Sequence, residues 1–149
     1  MEAIIFIGIQ AAGKSTFYKQ KFFKTHMHIN LDMLKTRNRE DIFIDACIKA
    51  NQSFVIDNTN PSVEERKKYI TISKKSGFDV IGYYFQSNIN DAITRNETRT
   101  GKEFVPVKGI ACTYNKLVVP NYSEGFDKLY YVSIDNDNNF LVEEWKNEL

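Results

Sequence analysis

The stretch "GIQAAGKST", residues 8–16, constrains the fold of this chain more than any other feature. It places Gly8, Gly13, Lys14 and Ser15 at the spacing G-x-x-x-x-G-K-S, which is the phosphate-binding loop of proteins that bind nucleoside triphosphates. The apolar run before the loop predicts a buried strand, and the residues from Lys14 onward predict a helix. The sequence therefore predicts a strand, loop and helix that hold a nucleoside triphosphate.

Each loop residue has an expected role. Backbone N–H groups of residues 10–15 are expected to surround the β-phosphate, helped by the helix dipole, and Lys14 to bridge the β- and γ-phosphates. The Ser15 hydroxyl would complete a magnesium shell, and Thr16 would support the α-phosphate. The predicted nucleotide-binding residues of the loop are Gly8, Ala11, Ala12, Gly13, Lys14, Ser15 and Thr16.

The rest of the chain predicts an α/β fold with three layers. With 149 residues, of which 42% are hydrophobic, we expect one domain over residues 1–149. Its β-rich runs are apolar on both faces and are separated by helix-like segments, which predicts a parallel sheet of about five strands covered by helices on both faces. These runs lie at residues 3–8, 26–30, 53–57, 80–85 and 128–134.

Two further helices are predicted from their ends and their periodicity. Residues 60–77 carry a capping residue at Asn60 and a terminating glycine at Gly77. Residues 139–149 repeat large apolar side chains every four positions, which predicts a terminal helix that packs Leu141, Trp145 and Leu149 against the sheet.

Charge and cysteine content limit the setting of the protein. The net charge of +1 gives no overall field that would attract nucleic acid or a membrane, so a basic surface would have to be local. Cys47 and Cys112 match no metal-ligand spacing, and we expect two reduced, partly buried thiols in helices. The first apolar run is too short to cross a bilayer. We expect a soluble, unprocessed, cytoplasmic protein without a membrane partner.

Asp32, in "HINLDML", is the candidate general base. The second strand would deliver it to the sheet edge that carries the phosphate loop, where a carboxylate can take the proton of an attacking hydroxyl. The alternative is that Asp32 only caps the following helix. His26 and His28 carry no partner motif and are interpreted as strand or surface residues.

Asp57 ends the strand "SFVID" at the position where P-loop proteins hold magnesium, so Ser15 and Asp57 are the predicted metal ligands. No glutamate follows Asp57. The polar residues that follow, beginning with Asn58, favour a site that orients an acceptor over one that activates water.

Arg95 and Arg99 are four residues apart, which predicts that both lie on one face of a short helix. Two guanidinium groups there could close on the triphosphate and neutralise charge on the transferring group. The alternative is a solvated helix in which Asp91 pairs with Arg95.

Taken together, the motifs resemble the kinase domain of polynucleotide 5′-hydroxyl kinases, over nearly the whole chain. The resemblance is carried by the phosphate loop and by four further segments, which are "HINLDML", "VIDNTNPSVEERKKYI", "RNETRTGKEFVPV" and "YNKLVVPNYSEGFD". It implies an adenylate-kinase-like P-loop kinase fold with a short helical lid, ATP and Mg²⁺ as cofactors, and a nucleic acid 5′-hydroxyl end as substrate.

The resemblance also assigns roles to single residues. It implies that Asp32 is the general base, that Arg99 contacts the phosphates, and that Asn58 lies near the acceptor. Lys35 stands where an arginine of the phage enzyme holds the acceptor's phosphate, and Leu31 stands where the family usually has arginine. Lysine keeps the charge and loses the bidentate fork. No phosphatase motif of the form D-x-D-x-T/V occurs.

Two other functions remain open from the sequence. One is a small-molecule kinase of a nucleoside or sugar, which the near-neutral charge favours. The other is a nucleotide-dependent switch or ATPase, which predicts hydrolysis without an acceptor. No protein partner can be inferred.

Overall fold

A computed structural model describes residues 1–99, 101 and 105–146. Its described residues form one mixed sheet, and helices lie between most of the strands. The strands are β1 (Glu2–Ile7), β2 (Met27–Ile29), β3 (Phe54–Ile56), β4 (Asp79–Phe85), β5 (Lys128–Ile134) and β6 (Phe140–Glu144). The helices are α1 (Lys14–Lys21), α2 (Leu31–Leu34), α3 (Arg37–Lys49), α4 (Val63–Lys75), α5 (Ile89–Asn96) and α6 (Val107–Lys116), with a 3₁₀ helix at Tyr122–Glu124.

The strand order is β2-β3-β1-β4-β5-β6, and the first five strands are parallel. Each of those five overlaps a predicted run, so the predicted α/β class and parallel sheet are confirmed. β1, at the centre, is buried from Ala3 to Ile7 because helices cover both of its faces. One apolar cluster packs α2, α3 and α4 on one face, and a second packs α1, α5 and α6 on the other.

The predicted terminal helix is wrong, because residues 140–144 form β6, antiparallel to β5. The preceding "DNDNN" makes a tight turn in which the Asp135 carboxylate accepts hydrogen bonds from the backbone N–H groups of Asp137 and Asn139. Pairing with β6 provides hydrogen-bond partners for the backbone groups at the edge of β5, which would lack them if this segment were a helix. Trp145 is buried as expected, Leu141 is exposed, and Leu149 lies outside the described residues.

β6 also supports the phosphate loop. The Phe140 ring packs edge-on against Phe17 of α1, with ring centroids 5.1 Å apart. A Cβ atom added to Gly13 would come 3.0 Å from the Phe140 ring, and Gly13 has φ of +95°, so glycine is required there for two reasons.

α4 begins two residues later than the sequence indicated. Ser62 is the capping residue and accepts a hydrogen bond from Glu65 N, so the expectation that Asn60 caps this helix is wrong. Asn60 instead has φ of 44° and donates from its amide to Phe6 O at 2.7 Å. It therefore ties the β3–α4 connection to the centre of the sheet.

The two cysteines are free and lie in helices, as expected. Cys47 is buried, whereas Cys112 is exposed, which corrects the expectation of two partly buried thiols. Among the described helices, none combines the length and the apolarity that crossing a membrane requires.

A buried ion pair fixes the segment that follows α6. Arg66, fully buried in α4, donates from Nε and Nη2 to the two carboxylate oxygens of Glu124, at 2.8 and 3.0 Å. Its Nη1 donates to the carbonyl oxygens of Asn60 and Val118. Arg66 cannot be identified from the sequence alone, since a lone arginine in a helix carries no pattern.

We predict that Arg66→Met lowers the free energy of unfolding by about 3–5 kcal/mol, because it leaves the Glu124 carboxylate buried without its partner. Equilibrium urea unfolding measures this loss. The double variant Arg66→Met/Glu124→Leu should recover much of it, since no uncompensated charge remains. A double variant that is less stable than Arg66→Met alone would contradict this account of the pair.

Candidate active site

The candidate site lies where the carboxyl ends of β1, β2 and β3 meet. Three hydrogen bonds join the segments that leave these strands, and they run from Gly8 N to Thr59 O (3.0 Å), from Asp57 N to Ile29 O (2.8 Å) and from Asn30 Nδ2 to Asp57 O (2.7 Å). Ligands of open α/β sheets bind at this edge. The sequence motifs are therefore brought together by the parallel strand order.

The phosphate loop has the geometry that its motif predicts. Gly13 caps α1 in the left-handed conformation, and α1 begins at Lys14. Lys14 Nζ donates to the carbonyl oxygens of Gly8 (3.0 Å) and Ile9 (2.6 Å). Burial lowers the pKa of Lys14 to about 8; Asp57 and Asp32 oppose that shift and Arg99 adds to it.

Asp57, 2% exposed, links three elements through one carboxylate oxygen. Its Oδ2 accepts hydrogen bonds from Ser15 Oγ and from His28 Nε2, both at 2.7 Å. The Tyr18 ring stacks on the His28 ring with centroids 4.0 Å apart. His28 lies in a strand, as expected, but its contact with Asp57 was not predicted, because the parallel pairing of β2 with β3 creates it.

The predicted metal ligands fit a magnesium ion. Ser15 Oγ and Asp57 Oδ2 are a hydroxyl and a carboxylate oxygen in contact, and Mg²⁺ prefers oxygen ligands in small number, with phosphates and water completing its shell. Within the described residues, no group of three or more His, Cys, Asp or Glu side chains could hold a metal by itself. A metal here would depend on a bound nucleotide.

Asp32 lies in the first turn of α2 and is exposed. The capping residue of α2 is Asn30, whose Oδ1 accepts from Met33 N at 3.2 Å, so the alternative that Asp32 only caps this helix is wrong. Asp32 raises the pKa of Lys14, which places its charge within electrostatic range of the phosphate loop.

Asn58 fixes the segment that carries Asp32. Its Oδ1 accepts from Leu31 N at 3.0 Å, and its Nδ2 donates to Glu40 Oε2 at 3.0 Å. Glu40 is fully buried, and burial would raise its pKa, but hydrogen bonds from Tyr69, Lys68 and Asn58 outweigh burial and lower the pKa. Both polar atoms of the Asn58 amide are therefore engaged within the protein.

Lys35 has a strained backbone. It has φ of 73° and ψ of −36°, and Thr36 N donates across it to Leu34 O at 2.9 Å, which is a γ-turn of the rare, positive-φ kind. The side chain is exposed beside α2. Strain of this kind persists where the surrounding structure fixes the backbone, here the helix ends on both sides.

The two arginines near the phosphate loop lie in different elements. Arg95, in α5, donates from Nη1 to Ala11 O at 3.3 Å. The expectation that both arginines share one helix face is wrong, because α5 ends at Asn96 and Arg99 follows in a turn. Arg99 lies close enough to Lys14 to lower its pKa. Among the described ion pairs there is none between Asp91 and Arg95, so the solvated-helix alternative is not supported.

One contact between the loop and α6 was not predicted. Gln10 Nε2 donates to Thr113 Oγ1 at 2.9 Å, and Thr113 Oγ1 donates to Gly109 O at 3.1 Å. The Gln10 Oε1 atom is buried and has no hydrogen-bond partner within the described residues. The loop motif leaves this position open, so the spacing alone could not identify Gln10.

Comparison with known proteins agrees with the motif resemblance. The chain is 32% identical over 153 aligned residues to a protein of Acanthamoeba polyphaga mimivirus named as a bifunctional polynucleotide phosphatase/kinase, an alignment that covers 97% of this chain and 36% of that protein. It is 27% identical to the bifunctional polynucleotide phosphatase/kinase of Schizosaccharomyces pombe, over 84% of this chain and 32% of that protein. The chain thus spans about a third of the length of these relatives. No family model matches it.

Solved structures show the same fold. The AvrRxo1-ORF1:AvrRxo1-ORF2 complex with sulphate ions matches with a TM-score of 0.73 at 14% identity, over 95% of this chain and 57% of that one. Kti12 of Chaetomium thermophilum in complex with ADP-AlF3 matches with a TM-score of 0.68 at 16% identity, over 91% and 90%. The chain has the P-loop kinase fold, and its resemblance to polynucleotide kinases is confirmed.

We predict that Lys35→Gly unfolds at a higher urea concentration than Lys35→Ala. Both variants lose the ammonium group, but only glycine adopts positive φ without a Cβ penalty, which is about 1–2 kcal/mol for the left-handed region. The free-energy difference between the two variants isolates the backbone strain from the loss of charge. Equal stabilities would show that the backbone at residue 35 relaxes when the lysine is removed.

Proposed function

We propose that this chain, related in sequence to polynucleotide phosphatase/kinases and built on a P-loop kinase fold, transfers the γ-phosphate of ATP to the 5′-hydroxyl end of a nucleic acid. One observation carries the proposal. Asp32 is close enough to raise the pKa of Lys14, and Asn30, two residues before it, is hydrogen-bonded to Asp57, so a candidate base for a hydroxyl and a candidate ligand of the γ-phosphate lie at the same strand edge. The free thiols of Cys47 and Cys112 suit a reducing, cytoplasmic setting.

On the donor side, the loop would hold the triphosphate through backbone N–H groups and the positive end of α1. Lys14 would leave its contacts with Gly8 O and Ile9 O and bind the β- and γ-phosphates. The negative charge of the phosphates would stabilise the buried ammonium group. Arg95 and Arg99 would approach from the lid and stabilise the charge that spreads over the transferring phosphoryl group.

Ser15 and Asp57 would hold Mg²⁺ together with phosphate oxygens. Mg²⁺ would neutralise charge that develops on the phosphates during transfer. His28 donates to the same carboxylate oxygen as Ser15 and thereby keeps Asp57 oriented toward α1. Asp57 is held on its other side by Asn30, which donates to its backbone oxygen.

On the acceptor side, Asp32 would accept the proton of the 5′-hydroxyl as its oxygen attacks the γ-phosphorus. The bond from that oxygen to phosphorus forms, the bond from phosphorus to the β–γ bridging oxygen breaks, and ADP leaves with the electron pair. Asn58 would act through Leu31 N by fixing the turn that presents Asp32. Lys35 would bind a phosphate of the acceptor strand as a point charge.

A small-molecule kinase would use the same donor site, and the near-neutral charge of +1 suits such a substrate. The relatives over nearly the whole chain favour the polynucleotide acceptor, since both are named for it. A nucleotide switch or ATPase would need a residue that activates water, and Asn58 at the corresponding place is engaged with Leu31 and Glu40.

We predict that Asp32→Asn lowers the rate of phosphate transfer to a 5′-hydroxyl oligonucleotide by about 10²–10⁴-fold, the usual contribution of a positioned base. The amide has nearly the same size but cannot take the proton. Affinity for ATP and thermal stability should change little, because Asn30 and not Asp32 caps α2. Single-turnover transfer of labelled γ-phosphate measures the rate.

The matched control is Asp45→Asn, which neutralises an exposed aspartate that pairs with Lys49 on α3. It should leave the transfer rate unchanged. If Asp32→Asn folds, binds ATP and keeps more than about a tenth of the wild-type rate, a loss smaller than base catalysis provides, Asp32 is not the base.

A further inference from the structure

A cavity of about 490 Å³ opens at the carboxyl ends of β4 and β5 and has no role in the mechanism above. Its volume falls in the range of about 300–1,000 Å³ that small-molecule sites occupy. Aromatic rings and side-chain amides dominate its walls, namely Tyr84, Tyr114, Tyr131, Trp145, Gln86 and Asn88.

Three of the rings form a connected wall. Tyr84 and Tyr131 lie side by side on adjacent strands with centroids 6.1 Å apart, and Trp145 meets Tyr84 edge-on at 5.4 Å. Trp145 N donates to Leu129 O at 3.0 Å, which fixes the tryptophan beside β5. Tyr114 contributes a more exposed ring from α6. Flat, fixed rings of this kind offer stacking surfaces for a planar ligand.

Amides beside the rings add hydrogen-bonding groups. The Asn88 Oδ1 atom accepts from Asp91 N as the cap of α5, so the group that Asn88 can offer a ligand is its NH₂. The Gln86 side chain is exposed at the cavity, while its backbone N–H is engaged with Val132 O. Aromatic faces combined with amide donors and acceptors match a nucleobase, which has two π-faces and a polar edge.

The cavity lies next to the phosphate loop. Ser87, in its wall, accepts from Ile9 N at 3.3 Å, and Thr113, beside Tyr114 in α6, contacts Gln10 at 2.9 Å. Ser87 of the cavity wall and Thr113, the chain neighbour of the wall residue Tyr114, thus contact consecutive residues of the loop. A nucleic acid strand whose 5′ end reaches the phosphate loop could therefore place another of its nucleotides in the cavity.

The sheet face on which the rings lie favours the acceptor over the donor. Tyr84, Tyr131 and Trp145 pack with the apolar cluster that also holds α2 and α3, the helices around Asp32 and Lys35. A smaller cleft on the α1 side adjoins the cavity, since Gln86 and Asn88 line both, and its other walls include Ala12, Arg95 and Ser133. Arg95 contacts the phosphate loop beside this cleft, since its Nη1 donates to Ala11 O.

We propose that the aromatic cavity binds a base of the acceptor strand, which makes it a second contact between the enzyme and its substrate. This inference rests on the proposed function, because it requires a polynucleotide acceptor. It assigns part of the acceptor affinity to stacking, which a near-neutral protein needs in place of a broad basic surface.

Trp145 is the single tryptophan of the chain, so its fluorescence reports directly on the cavity. The wild-type protein is titrated, without ATP, with a thymidine hexanucleotide and with an abasic hexamer of the same backbone. The thymidine strand should quench Trp145 and the abasic strand should not. This readout does not need catalysis, so it separates the failure of the cavity proposal from the failure of the proposed kinase function.

The test variant is Tyr114→Ala, and the matched control is Tyr122→Ala, since Tyr122 is about as exposed and does not line the cavity. Stacking energies predict that Tyr114→Ala raises the KM for the oligonucleotide about tenfold or more, with kcat and the KM for ATP unchanged. Tyr122→Ala should have no effect. In the titration, the half-quenching concentration should rise for Tyr114→Ala alone.

Equal quenching by the thymidine and abasic strands would overturn the proposal, as would the same KM in Tyr114→Ala and in wild type. Quenching by a non-hydrolysable ATP analogue that competes with the oligonucleotide would assign the cavity to the donor's adenine and contradict the acceptor assignment. If the expected quenching occurs but no phosphate is transferred to any 5′-hydroxyl strand, the base site stands and the proposed function fails.

Discussion

The buried carboxylate of Asp57 is the point on which the candidate site depends. It accepts hydrogen bonds from Ser15 of the phosphate-loop helix and from His28 of β2, and it stands at the end of β3. A carboxylate this deeply buried is costly unless several donors satisfy it. The cost is offset only when α1, β2 and β3 are in register, so the same interaction that stabilises the strand ends also aligns the candidate metal ligands with the phosphate loop.

The groups that would bind the donor and those that would bind the acceptor lie on opposite faces of the sheet. The face that packs α1 and α5 carries the phosphate loop and Arg95, which would bind the donor. The other face packs α2, α3 and α4. Asp32 in α2, and Lys35 directly after it, would contact the acceptor. The strand edge is where donor and acceptor can meet. The buried acid Glu40 accepts a hydrogen bond from Asn58, and Asn58 in turn accepts one from Leu31 N, next to Asp32. Residues that would not touch substrate therefore fix the position of the segment that carries the candidate base.

Motifs with short-range spacing were predictable, and contacts set by strand order were not. The phosphate loop, Asp32 and Asp57 each follow a recognisable strand, and the parallel sheet then brings them together. His28, Arg66 and Gln10 act through partners 29, 58 and 103 residues away, a separation at which sequence pattern gives no signal. The period-four apolar pattern of the terminal segment favours a helix, whereas the open edge of β5 and the turn at Asp135 select a strand.

The central claim is that donor and acceptor groups gathered at this edge phosphorylate a 5′-hydroxyl end. The direct measurement is the fate of labelled γ-phosphate when wild-type protein, ATP and Mg²⁺ are offered a 5′-hydroxyl oligonucleotide, the same strand already 5′-phosphorylated, and panels of nucleosides and sugars. The account predicts label at the 5′ end of the first strand, none in the second, and a far lower kcat/KM for nucleosides and sugars. Release of inorganic phosphate regardless of acceptor, or faster transfer to a nucleoside or sugar, would contradict it.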